Sequence, residues 1–409
     1  MRMNTDPSRS VAALVAASEI ILSRRFDRDI HLTLRDTLTT RKSLVVRCAI
    51  TPAASHLPAT IIAKCPIVFP DNPFAHRLSF VDEWAALVFL EQIAPDPPLA
   101  TRCYGSDSAA GVLVLEDLGR DNHTTAQTLV FGTNARRAEA ALLEHVALIG
   151  RLHASTVGKY REYMSFRATL NPPVPAEDLF TNPWPAARQA PTTTTELDSR
   201  IHTYRSACAH LGIRPPVGVD DDIGLVAYHV EVNPAQWLAL CQGDQNGPGG
   251  TLRLNDHLRL YDFDCGQFRH GLLEGVPGRS TWGCMMRIPA AIAHQMEMVY
   301  RNVLAASHPL VQDDNYFRAA FAAAHARWHL FQVLHRLPSC LIQDAPRGPT
   351  TRRQQLLGWL DTFATITEEA NSMLALGTVA RTLAGKLRQQ WPLAVQALPY
   401  YPAFQREVV

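Results

Sequence analysis

The chain has 409 residues, 47% of them apolar, and its 39 Lys+Arg stand against 38 Asp+Glu for a net charge of +1. That length exceeds the size at which one hydrophobic core stops growing, so two lobes or domains are expected. The charge balance supplies no field for nucleic acid or for an anionic membrane surface, so neither is expected as a partner and a small molecule is the default.

The N-terminal segment has Arg2 but then Asn4, Asp6 and Ser8, and its apolar stretch from Val11 to Ile21 is broken by Ser18 and Glu19. This is not the core of a signal peptide. The chain also has no run of about 18 apolar residues, so no membrane span is expected. The eight cysteines (Cys48, Cys65, Cys103, Cys208, Cys241, Cys265, Cys284 and Cys340) form no CxxC pair and no CxxC…HxxxH spacing. Structural zinc is therefore not indicated, and reduced thiols in a cytoplasmic protein fit best.

Between Asp29 and Cys65 three segments, Leu32–Leu34, Ser43–Ile50 and Ala59–Lys64, are rich in β-branched residues and separated by polar or Pro-containing turns. They predict an antiparallel meander. From Ser79 to Ala94 the period becomes helical, with Phe80, Trp84, Leu87, Val88 and Leu90 on one face and Ser79 and Asp82 at capping-box spacing. The run Gly111 to Gly119 is apolar, ends in Glu116 and Asp117, and predicts a buried strand leaving a sheet.

The lobe boundary is placed there, with residues 1–118 in one lobe and 119–409 in the other. Beyond it, Arg136–Ser155, Ala290–Ala306, Tyr316–Arg336 and Arg352–Gln390 have helix-like composition, so the second lobe is expected to be mainly α. Residues 172–196 carry Asn-Pro-Pro-Val-Pro, Asn-Pro-Trp-Pro and a Thr run, which predicts a surface loop or insertion. The fold class read from this order is α+β and two-lobed. A small lobe with an antiparallel sheet and one helix precedes a larger helical lobe.

Two features carry chemistry. Leu240-Cys241-Gln242-Gly243-Asp244-Gln245-Asn246-Gly247-Pro248-Gly249-Gly250 is followed by Leu258-Arg259-Leu260-Tyr261-Asp262-Phe263-Asp264, an apolar approach to Gly-Asp, a short hairpin, then a strand ending in Asp-Phe-Asp. Two carboxylates at adjacent strand ends suit phosphoryl transfer, in which one orients the attacking hydroxyl and the other holds Mg²⁺ against nucleotide phosphates. The alternative is an Asp-containing turn beside an exposed strand end. The second feature is Lys64 within Ile61-Ile62-Ala63-Lys64-Cys65-Pro66, where an ammonium needs a carboxylate or phosphate partner. Glu83 on the next helix is the natural one. An edge-strand Lys and a solvated Glu are the plain alternative.

The order of these landmarks resembles the aminoglycoside phosphotransferase and choline kinase family. The resemblance rests on Arg41-Lys42-Ser43-Leu44-Val45-Val46-Arg47 in an early hairpin, Lys64 on a strand, Glu83-Trp84 on a helix and Leu113 to Gly119 at a hinge. It continues through Leu148-Ile149-Gly150-Arg151-Leu152-His153, Gln242-Gly243-Asp244 and Asp262-Phe263-Asp264. It covers most of the chain from 30 to 275 and implies a protein-kinase-like fold that uses ATP and Mg²⁺ to phosphorylate a hydroxyl on a small molecule.

Carried over by position, the resemblance makes Asp244 the catalytic Asp, Asp262 the magnesium ligand, Lys64 the phosphate-binding lysine and Glu83 its partner. Residues 114–118, including Glu116 and Leu118, hold adenine through their backbone, and Thr37–Lys42 is the nucleotide loop. The family's loop reads His-Gly-Asp with an Asn five residues after the Asp, whereas this chain has Gln242 and Gly249 there. One metal-ligand oxygen is lost by that change. Asn246 or Asp264 is the candidate replacement, and a nucleotide-binding or inactive pseudokinase is the alternative function.

His153 reads as a hydrogen-bonded core histidine. Of His329 and His335, one is expected to pack and the other to be solvated. Trp328, Trp359 and Trp391 read as core or interface residues, with an aromatic box for a cation as the alternative. Asp220-Asp221-Asp222 and Glu231 are either an acidic acceptor cleft or a solvated run. Cys241 and Cys265 sit beside the proposed site without an obvious His-Asp array that would support thiol catalysis.

Overall fold

The computed structural model describes residues 10–38, 43–66, 73–93, 97–119, 126–170, 194–232, 235–243, 250–254, 257–264, 266–274, 279 and 285–405. The expected 172–196 insertion lies almost wholly outside the described residues, as do residues 39–42 of the expected nucleotide loop. The observed class is α+β with two lobes, as the order of elements predicted.

The chain begins with α1 (Val11–Phe26), then β1 (His31–Thr37), β2 (Ser43–Thr51), β3 (Thr60–Pro66), α2 (Pro73–Ile93), β4 (Cys103–Asp107) and β5 (Val112–Glu116). The five strands form one antiparallel sheet in the order β1-β2-β3-β5-β4. Because successive side chains on a strand point to opposite faces, β2 buries Val46 and Cys48 on one face, while Val45 and Arg47 lie on the other. The first face packs with Ile61, Ala63, Val112 and Val114 under Leu14, Ile21 and Leu22 of α1.

Helix α1 adds a second helix to the single one expected in this lobe. Ser10 caps it through a bond from the Ala13 N–H (3.1 Å), and it turns the broken apolar stretch Val11–Ile21 into the cover of the outer sheet face. Strand β4, with Gly105 and Ser106 among its five residues, lacks the β-branched signal that marked its neighbours.

Helix α2 starts at Pro73, six residues ahead of the expected Ser79. A proline is tolerated in a first helical turn because its missing N–H has no partner to lose there. Ser79 therefore lies inside the helix and is no cap. Asp82 is buried and binds Arg167 Nη2 (2.7 Å) and Gln267 Nε2 (2.6 Å) of the second lobe. Phe80, Leu87, Phe89 and Leu90 of α2 share one core with Leu113, Leu115 and the helical lobe.

The second lobe runs through α3 (Ala126–Val130), α4 (Ala135–Thr156), α5 (Tyr160–Arg167), α6 (Thr194–His210) and α7 (Val219–Val226), then β6 (Leu238–Cys241), β7 (Thr251–Leu254), β8 (His257–Leu260) and β9 (Gln267–His270). It continues with α8 (Ala290–Leu304), α9 (Asp314–Phe331), α10 (Leu337–Ile342), the short pair β10 (Pro346–Arg347) and β11 (Thr350–Thr351), α11 (Arg352–Ala370) and α12 (Leu374–Gln390). The expected Tyr316–Arg336 helix is α9 prolonged by a π-helical turn, Gln332–Arg336. Arg352–Gln390 is two helices, parted where Asn371 (φ 47°) and Met373 (φ 56°) leave the right-handed region.

Among the described residues no helix is long and apolar enough to cross a membrane. Trp328, Trp359 and Trp391 are buried, as is His329, whereas His335 is exposed. Asp220 pairs with Arg205 (2.8 Å), and Asp222 accepts the Leu376 N–H (3.0 Å) at the start of α12. Two of the three run aspartates thus serve helix ends and surface pairing.

Candidate active site

The strand β3 places Lys64 between Val45 of β2 and Leu113 of β5, on the sheet face opposite α1. Its ammonium, nearly buried, bonds Glu83 of α2 (2.8 and 2.9 Å to the two oxygens) and Asp262 Oδ1 (2.6 Å) just beyond β8. A sheet, a helix and a second-lobe strand end thus converge on one charge. Burial alone would lower the pKa of Lys64, but Glu83 and Asp262 outweigh it and hold the ammonium above its ordinary value. Burial pushes Glu83 up to about 7 against the pull of Lys64.

Asp262 stands at φ 63°, in the left-handed region that few residues other than Gly and Asn/Asp enter, and its neighbour Phe263 is fully buried. The buried ring anchors the turn, and Asp262 projects from it with its side chain 46% exposed. Strained backbone of this kind persists where its surroundings hold it, and it clusters at functional positions. The negative charge of Asp264 raises the Glu83 pKa, so a second carboxylate of this segment is close to the same group.

Asp244, Asn246 and Gly249 lie outside the described residues, but both flanks of their loop are described. The Gln242 and Gly243 N–H groups donate to the two oxygens of Glu274 (2.9 and 3.1 Å). The Gln242 amide donates to the Gly250 carbonyl (3.2 Å) and the Tyr261 carbonyl (2.5 Å), and the Tyr261 N–H donates back to Gly250 O (2.8 Å). Gln242 therefore ties the start of the loop to its end and to the strand that delivers Asp262. The departure from His at this position puts a neutral amide in a bridging role. Gly250 (φ 69°) leaves room for it, since a Cβ there would overlap the Gln242 amide.

Glu274, which no spacing in the sequence singled out, is fully enclosed. Burial alone would raise its pKa, but His153, Arg269 and the Gly243 N–H outweigh it and keep it below the usual carboxylate value. His153 is a buried core histidine, as expected. Its Nε2 lies 3.5 Å from Glu274 and 3.6 Å from Cys241 Sγ, and its Nδ1 lies 2.9 Å from Tyr300 Oη. Cys241 is buried with its pKa pushed well up, which does not suit a nucleophile.

At the hinge, the Glu116 N–H donates to Arg102 O (2.9 Å), and its carbonyl accepts from Thr101 Oγ1 (3.1 Å) while keeping a second lone pair. Leu118 is buried. The linker ahead of β4 bonds directly to β8, with Thr101 N to Leu260 O and Leu260 N to Leu99 O at 2.8 Å each, which ties it to the strand that leads to Asp262.

A five-stranded sheet, a lysine clamped to a helix glutamate and a second-lobe Asp-Phe-Asp at the same point decide the architecture. The fold is protein-kinase-like. No family model and no curated protein matches the sequence.

Solved structures to which this chain is similar include a choline/ethanolamine kinase family protein from Mesorhizobium loti (13% identity, 86% of this chain and 92% of that one, TM-score 0.43). Others are choline kinase LicA from Streptococcus pneumoniae (13%, 88% and 99%, 0.37) and APH(2")-IIa in a streptomycin-ATP complex (10%, 80% and 94%, 0.40). At these identities and TM-scores the likenesses carry nothing about chemistry, which rests on the side chains alone.

Shortening Gln242 tests the loop brace. Gln242→Ala is expected to lower any turnover by about tenfold or more while costing about 1–3 kcal/mol of stability, because it removes a buried donor from the Gly250 and Tyr261 carbonyls. Gly250→Ala should mimic it by displacing the amide. Turnover equal to wild type in both variants would show that the brace has no bearing on the site.

Proposed function

We propose that the protein transfers the γ-phosphoryl group of ATP to a hydroxyl of a small molecule. What supports this reading is Lys64, whose ammonium is held between Glu83 and Asp262 where the two lobes meet. In this reading residues 1–118 hold the nucleotide and residues 119–409 carry the catalytic loop and acceptor site. Lys64 takes the phosphates, Glu83 keeps it charged and aimed, and the backbone from Glu116 to Leu118 meets the adenine. Asp244 orients the acceptor hydroxyl.

The donors around Asp262 are hard carboxylate oxygens, and its side chain is accessible beside a buried cation, which fits Mg²⁺. Asp262 is the main metal anchor, and Asn246 or Asp264 replaces the oxygen lost at Gly249. When bound, the metal neutralises charge that develops on the transferring phosphate. Asp262 would hold the metal through the carboxylate that now bonds Lys64, and Lys64 would keep Glu83 as its partner while it takes the phosphates.

A nucleotide-binding protein without turnover is the second reading, favoured by Gly249 and by the 2.6 Å bond that engages Asp262 with Lys64. A thermal-shift screen with ATP, Mg²⁺ and sets of amino sugars, amino alcohols and nucleosides, followed by turnover assays, separates the two. Asp244→Ala is expected to cut turnover by about 10²–10⁴-fold with nucleotide binding kept, whereas Asp262→Ala should also weaken metal-dependent nucleotide binding. Gly249→Asn should raise Mg²⁺ affinity or turnover if the missing side chain is what weakens the metal site. Nucleotide binding without turnover in wild type and in Gly249→Asn, for every acceptor, would leave the second reading standing.

A further inference from the structure

The inner face of the N-terminal sheet carries a second buried charge, Arg47. Its strand neighbours Val46 and Cys48 turn toward α1, so Arg47 points to the face that carries Lys64. It sits opposite Ile62, which in turn sits opposite Leu115. Lys64 is two residues further along β3, about 7 Å along the strand and about 5 Å across to β2.

The guanidinium grips Asp117 in a bidentate pair, Nε to Oδ2 at 2.7 Å and Nη2 to Oδ1 at 2.9 Å, with Asp36 3.6 Å from Nη1. The Arg47 side chain is only 10% exposed and that of Asp117 only 4%. Asp117 Oδ1 also accepts the Gly119 N–H (3.0 Å), which closes a turn at Gly119 (φ 89°). Burial alone would raise the Asp117 pKa, but the bonds from Arg47, Thr60 and Gly119 outweigh it and hold it below the ordinary carboxylate value.

Packing does not require such a pair. The neighbouring positions of this face are Ile62 and Leu115, and a buried ion pair is often no more stabilising than apolar residues of the same volume. What the pair does provide is a fixed backbone at 117–119, just beyond β5. The two-pronged grip of an arginine on a carboxylate cannot be reproduced by lysine.

We propose that Arg47 and Asp117 are positioning residues for the base end of the nucleotide site, where their buried pair holds the 117–119 backbone in place. The assignment rests on the nucleotide-dependent function proposed above, with Lys64 at the phosphate end. Base affinity and phosphate affinity thereby depend on two separate buried cations of one sheet face.

Equilibrium binding of ATP, adenosine and inorganic tripolyphosphate to the full chain tests this, with Arg47→Met, Asp117→Asn and Arg47→Lys compared with wild type. Arg47→Met and Asp117→Asn are expected to lose about tenfold or more in affinity for ATP and adenosine, with tripolyphosphate unchanged. Arg47→Lys, which keeps charge but not the fork, should fall between. Variants that bind adenosine as wild type does, or that lose tripolyphosphate in the same proportion, would overturn the assignment while leaving the nucleotide site intact. A wild-type protein that binds none of the three would overturn the functional reading, and this assignment with it.

Discussion

Lys64→Met is expected to cost about 3–5 kcal/mol of stability at pH 7.5 and to lower turnover by about 10²–10³-fold. Removing the ammonium leaves Glu83, 2% exposed, without its counter-charge and next to Asp262 and Asp264, whose charges already push its pKa up. The buried carboxylate must then either stay charged and unpaired or take up a proton. Either course spends folding free energy. The double variant Lys64→Met/Glu83→Gln removes both charges and should recover most of the stability but none of the turnover. Urea unfolding of the four proteins in the cycle reads the first quantity, and acceptor-dependent ADP formation reads the second. A Lys64→Met protein as stable as wild type would show that the pair is not the buried, mutually dependent unit described above.

Mild acid should destabilise the protein strongly. Burial pushes His270, His325 and His329 down to about 3, with neighbouring histidines adding to the effect at His270, and pushes His145 down to about 4 against the pull of Glu274. Each stays neutral in the fold and protonates on unfolding, where the imidazole returns to about 6.5. Depressed folded-state values of this kind contribute stability above pH 6.5 that is lost as pH falls toward 3 to 4. Between pH 6.5 and 5 the loss is about 1.5 kcal/mol per imidazole, or about 6 kcal/mol for four.

Glu83, raised to about 7, works in the opposite sense and offsets about one of the four. The net loss, roughly 4 kcal/mol, is comparable with the whole stability of a marginal domain. The uptake of protons on unfolding, obtained from the slope of stability against pH near 5, should be about three, and His325→Gln should reduce it by about one. Stability that does not change from pH 7 to pH 5 would contradict the burial of these rings.

Local patterns in the sequence were enough for the strands β1 to β3 and β5, because β-branched alternation is a property of a short window. The same holds for the helical character of α4, α8 and α9. They were enough, too, for Lys64 and Glu83 as partners, since an ammonium in Ile61-Ile62-Ala63-Lys64 requires a counter-charge and the next helix supplies one. The start of α2 lies upstream of the Ser79–Asp82 spacing because the helix runs from Pro73, and in the fold Arg167 and Gln267 claim Asp82. Strand β4 was not legible, since its place comes from β5 and α1 rather than from its own propensity, whereas α1 is rich in Ala and Leu and has a helical composition of its own.

The brace from Gln242 to Gly250 and Tyr261, the Glu274 carboxylate under two loop amides, and the Arg47 grip on Asp117 join residues 8, 19, 32 and 70 positions apart. No window short enough to show a periodicity contains the longer of these pairs. Gln242 alone reads as the loss of a histidine, and the Gly250 and Tyr261 carbonyls that face it give it a bridging role. The identity of a buried polar residue's partners is a tertiary fact, because the cost of leaving it unpaired says that a partner exists but not which one it is.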